Sequence, residues 1–91
     1  MLKTFEVIID GRVQGVGYRR FCYKKAMDFY ITGYVKNKPD GSVYVIAQGE
    51  EDNLALLFVE LKKGPLWGMV TTFIVQELTS FNKYERFVIE I

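Results

Sequence analysis

The sequence predicts an α+β fold: a ferredoxin-like β-α-β-β-α-β sandwich, in which an antiparallel sheet carries two helices packed on one face, with an extra short C-terminal strand. Three observations lead there. A strand-like alternation at residues 4–10 runs into a glycine-rich stretch. A hairpin pattern occupies residues 33–48. Two amphipathic segments, one on each side of that hairpin, carry apolar residues at helical spacing.

Taken in order, residues 4–10 put Phe5, Val7 and Ile9 on one face, the period of a half-buried strand. Gly11, Gly15 and Gly17 punctuate the next segment. From residue 18 to about 29 the glycines stop, and Tyr18, Cys22, Ala26 and Phe29 recur at intervals of 4, 4 and 3, one face of a helix. Gly33 is expected to end that helix, and Tyr34-Val35-Lys36 to begin the second strand. In Asn37-Lys38-Pro39-Asp40-Gly41-Ser42, Pro39 presets φ while Asp40 and Gly41 tolerate the reversal, so the chain turns and returns as a third strand at 43–47. The second helix has Glu50, Glu51 and Asp52 in its first turn, where the positive end of the helix dipole favours carboxylates. Leu54, Leu57, Phe58 and Leu61 form its stripe, Lys62 and Lys63 close it, and Gly64-Pro65 stops it. Residues 69–77 read as a fourth strand, 78–84 as polar turn material, and 86–91 as a last short strand.

Ninety-one residues support one domain, residues 1–91, since half that length could not bury a workable core. Charged residues make up 25% of the chain with a formal net charge of +1, which argues against a broad basic surface for nucleic acid. Cys22 is the sole cysteine, so no internal disulfide and no cysteine-rich zinc cluster can form. The first residues lack the basic and apolar regions of a signal peptide, and no apolar run could span a bilayer. A cytoplasmic monomer without membrane or nucleic-acid partners is expected. Histidine is absent, which removes most general-base, triad and metal-site chemistry, and no metal or cofactor is expected.

The two helix starts differ in a way that bears on function. The second follows the electrostatic rule; the first inverts it, with Arg19 and Arg20 where positive charge is disfavoured and no acid before Asp28. A bound anion would reconcile the inversion, because uncapped amides and guanidinium groups would then point at one negative group. Glycines just ahead let the backbone approach closely and turn its N–H groups inward, and the planar fork of arginine suits a phosphoryl group. The plainer alternative is a glycine turn followed by solvated arginines.

Gly11-Arg12-Val13-Gln14-Gly15-Val16-Gly17-Tyr18-Arg19 closely resembles the first signature of the acylphosphatase family, and the stretch from Gly33 through Asn37 and Ser42 to Gly49 resembles the second. Both lie in the right order, and the resemblance covers nearly the whole chain. It implies hydrolysis of acyl phosphates to a carboxylate and inorganic phosphate. By the same resemblance, Arg19 and the backbone amides of Gly15, Val16, Gly17, Tyr18, Arg19 and Arg20 bind the phosphoryl group. Asn37 orients the attacking water, and Ser42 supports the Asn37 turn. An acyl phosphate suits a chain without histidine, because its carboxylate leaving group departs without a general acid.

Other residues have plain readings. Asn37 is also a common turn former, and Cys22 on the inner helix face reads as a small core hydrophobe. Tyr18 is expected under the loop, while Arg20, Lys24 and Lys25 read as a solvated face. The aromatics Tyr34, Tyr44, Phe73 and Tyr84 read as core or sheet surface, and Trp67 has no assigned place. Phe29-Tyr30-Ile31-Thr32 departs from the small or glycine-containing turn usual in the family, and residues 66–83 match it loosely. A competing function, a non-catalytic module for an anion or RNA, would need paired aromatics in an RNP-type segment and a basic surface, and neither is evident.

Overall fold

The computed structural model describes residues 1–91. The chain runs β1 (Leu2–Arg12), α1 (Tyr18–Asp28), β2 (Thr32–Asn37), β3 (Val43–Glu50), α2 (Glu51–Lys63), β4 (Met69–Leu78) and β5 (Phe87–Ile89). Every expected element is present in the expected order. The strands form one sheet in the order β4-β1-β3-β2-β5. On one face α1 covers β2 and β5, while α2 covers β3 and β4. Between the layers, Val7, Ile9, Val35, Val45 and Ala47 of the sheet meet Cys22, Ala26, Leu54, Leu57 and Leu61 of the helices. Burying the valine, isoleucine and leucine side chains among them contributes about 1.5–3 kcal/mol each, which is what holds the two layers together.

Three local expectations need correction. The sheet is mixed, not wholly antiparallel: β5 pairs in parallel with β2, from Gly33 opposite Phe87 to Val35 opposite Ile89. The reason is directional. β4 runs against β1 and β2 runs with it, so a chain that reverses after β4 and docks on β2 must lie parallel to it.

Gly33 does not end the first helix; it lies inside β2 at φ 130, where a Cβ would collide with the Ile46 carbonyl. The helix is stopped by Tyr30, at φ 58, with the Ile31 amide donating to the Ala26 carbonyl at 2.8 Å. That is the i-to-(i−5) bond of a Schellman turn with tyrosine where glycine is usual. Glu50, expected in the first turn of α2, is its N-cap residue, with extended φ and ψ of −72 and 147.

Residues 79–86, between β4 and β5, are tied down by Gln48. Its buried amide donates to the Thr4 hydroxyl (2.9 Å) and the Asn82 carbonyl (2.8 Å), and accepts from the Tyr84 amide (2.9 Å). No helix is long and apolar enough to cross a membrane.

Candidate active site

β1, β2 and β5 run in one direction, so Arg12, Asn37 and Ile89 finish at the same end of the sheet. From Arg12 the chain crosses to α1 through residues 13–17. Gly15 and Gly17 adopt left-handed φ values of 74 and 79, and nothing stands within 4 Å of where their Cβ atoms would be. Conformation, rather than crowding, requires glycine there.

Gly17 is the N-cap of α1 and offers no side-chain cap, and the first turn carries no acid. The first main-chain bond of the helix runs from the Phe21 amide to the Gly17 carbonyl at 3.0 Å, so the amides from Gly15 to Arg20 have no acceptor within the chain. Arg19 is half-buried and donates one Nη1 hydrogen to the Glu90 carbonyl at 2.9 Å. A guanidinium has five donors, so most of its fork is free. Neither Arg19 nor Arg20 takes part in an ion pair. Unpaired cations beside uncapped amides concentrate positive potential at one point.

That point is a cavity of about 230 Å³. Gly15, Gly17, Tyr18, Arg19 and Arg20 line one side of it and Asn37 another, with Val13 and Ile89 as apolar wall. The Asn37 side-chain oxygen is buried without a hydrogen-bond partner in the protein.

The turn after Asn37 is built from its own side chains. Asp40 accepts from the Ser42 hydroxyl (2.6 Å) and the Ser42 amide (2.9 Å). Those two donors hold the Asp40 carboxyl below the usual carboxylate range. Gln14 joins turn to loop, donating to the carbonyls of Lys38 and Ser42 at 2.8 Å each. Tyr18 is buried beneath the loop and donates to the Leu61 carbonyl at 2.7 Å, satisfying one of the free carbonyls at the end of α2. Burial raises its phenol far above the ordinary range. Burial likewise raises the Cys22 thiol, which stays neutral in the core.

Most of the residues singled out from sequence therefore meet at one cavity. Val16 is the exception among the loop positions, since its side chain packs on the core and lines no part of the cavity. Ser42 lies under the turn and not in the cavity wall. Ile89 carries no sequence signal for the site, and Val13 and Gln14 are marked only by lying inside the first signature. Ile89 looks like an ordinary strand residue, and the partners of Gln14 lie 24 and 28 positions away, so no local pattern reveals that it joins loop to turn.

A ferredoxin-like sandwich with a cavity and two arginines free of ion pairs at the start of its first helix defines the class of α+β protein. The acylphosphatase family model matches residues 5–89. A curated acylphosphatase of Thermus thermophilus is 46% identical over 69 residues, covering 76% of this chain and 78% of its own. Another, of Thermotoga maritima, is 39% identical over 98% of both chains. The crystal structure of the Bacillus subtilis acylphosphatase superposes over the whole of both chains with a TM-score of 0.94 at 38% identity. The chain belongs to the acylphosphatase family.

Proposed function

We propose that this protein hydrolyses acyl phosphates to a carboxylate and inorganic phosphate, without a metal ion. The free fork of Arg19 and the amides of Gly15–Arg20 hold the phosphoryl oxygens, with Arg20 adding to the local potential. Asn37 orients the water, and Ser42, through Asp40, keeps the turn that carries Asn37 in shape. The observation that carries the reading is that Arg19, free of any ion pair, and Asn37, whose buried side-chain oxygen has no protein partner, line one cavity. An unmet buried acceptor costs about 1–3 kcal/mol, and turning the Asn37 amide toward a water in the cavity relieves it.

The chemistry needs little more. Water attacks phosphorus, the new P–O bond forms, and the bond to the acyl oxygen breaks with its electron pair leaving as carboxylate. The water proton passes to a phosphoryl oxygen. No general acid is required, because a carboxylate is a stable leaving group, so positioning and charge stabilisation suffice. Support for metal independence comes from the side chains themselves: nowhere do three His, Cys, Asp or Glu residues gather. The reading extends to one domain acting in the cytoplasm without nucleic acid, on the composition and charge balance of the chain.

The test is turnover of benzoyl phosphate in excess chelator. Activity is expected to persist, and Arg19→Ala to lower kcat/KM by about a thousandfold, the scale of lost oxyanion stabilisation. Activity that needs an added metal, or that survives Arg19→Ala, would defeat the proposal.

A further inference from the structure

The two outer strands of the sheet treat their edges differently. β5 has three residues and is bracketed by Arg86 and Glu90, and a short, charged edge discourages pairing with another chain. β4 has ten residues, pairs only with β1, and reads Met-Val-Thr-Thr-Phe-Ile-Val-Gln-Glu-Leu. It holds no lysine, arginine or proline, and Glu77 is its one charge. Ile74 is 53% exposed and Val75 37% exposed. Along its outer side alternate backbone N–H and C=O groups lack a strand partner.

We propose that a second copy of this chain docks on β4, antiparallel, about a two-fold axis through Val75, making one continuous sheet with both pairs of helices on the same face. Three features fix the register. First, the pairing with β1 slips between Asp10 and Gly11, which leaves residues 72–78 as the regular run of β4, and Val75 is its midpoint. An axis there lays the whole run against itself. Second, residues opposite one another in an antiparallel pair share a face. Phe73 and Glu77 pair with Ile9 and Phe5 of β1, so both face the helices, and the axis sets Phe73 of one copy opposite Glu77 of the other.

Third, the charges match. The Lys62 ammonium stands 5.5 Å from the Phe73 ring, so Glu77 of one copy arrives beside Lys62 of the other, twice by symmetry. Within one chain neither residue has an ion-pair partner. The apolar groove of about 290 Å³ walled by Phe5, Phe58 and Val75 runs along this seam and is closed by the second copy. β4 contributes nothing to the phosphate-sized cavity, which stays open in the pair. This departs from the monomer expected from sequence: the balanced charge of the whole chain conceals a long strand that carries a single charge.

Sedimentation of the full chain over a dilution series tests the pairing. A particle of twice 10.6 kDa is expected at high concentration. Glu77→Lys or Lys62→Glu alone weakens association about tenfold by setting like charges together, and the two combined restore it. Ile74→Lys, on an exposed side chain, abolishes the pair while leaving the far-ultraviolet dichroism unchanged. A mass of 10.6 kDa at every concentration overturns the proposal. So does a dimer that Ile74→Lys leaves intact, or one that the double charge reversal fails to restore.

Discussion

In the proposed mechanism Asn37 and Arg19 divide the site between water and charge. Asn37 lines the cavity and its side-chain oxygen is buried without a protein partner, whereas Arg19 is anchored by one bond to the Glu90 carbonyl and keeps the rest of its fork free. Asn37→Ala is expected to retain phosphate binding, measured by calorimetry, while kcat falls about a hundredfold, the scale of a lost orienting group. Arg19→Lys is expected to remain crippled, since an ammonium has no planar fork to hold two phosphoryl oxygens. Loss of binding in Asn37→Ala would instead mark a structural role. At this scale the sequence exposes the chemistry but not its supports. The inverted charge at the first helix start marks the arginines, because that signal is local. The bond from Gln14 to Lys38 and Ser42, and that from Arg19 to Glu90, join residues far apart in the chain.

Among the elements, β2 carries the greatest burden, since it ends at Asn37 and lies between β3 and β5. Gly33 permits that position, because a Cβ there would strike the Ile46 carbonyl. Gly33→Ala is expected to lower stability by about 1–3 kcal/mol from backbone strain alone, read as an earlier urea midpoint. Gly15→Ala makes the contrast: its Cβ would meet open space, so the stability loss is limited to the roughly 1–2 kcal/mol of a left-handed alanine, while phosphate affinity is expected to fall as the loop shifts. Element order is legible because helical and strand periods differ. Gly33 reads as a helix stop because glycine marks both a chain reversal and a close approach, and only the neighbouring strand tells them apart. The parallel pairing of β5 is likewise invisible in sequence, as no short-range pattern records which distant strand a three-residue segment joins.

The whole molecule has a pH limit set by neutral groups it buries. Burial raises the Cys22 thiol above its ordinary 9.0, and burial raises the Tyr18 phenol above its ordinary 10.0. A folded pKa above the unfolded one means that the unfolded chain gives up its proton first as pH rises. The associated stability is therefore complete below the unfolded values and is lost as pH climbs beyond them toward the folded ones. Melting temperature is expected to stay level up to about pH 9 and then decline, as stability falls by about 1.4 kcal/mol per pH unit for each titrating group. Cys22→Ala should shallow the first part of that decline. A melting temperature level through about pH 11 would show that neither group is held neutral by the fold.

The contact between Arg19 and Glu90 spans 71 positions of sequence. A partly organised chain, with loop, first helix and hairpin in place but β5 undocked, would hold phosphate against a wandering guanidinium. Contacts this distant form late, after the entropy of closing the intervening loop has been met. In the proposed mechanism turnover is then a property of the completed chain topology, and during refolding it is expected to return only once β5 has docked, not with the glycine loop alone.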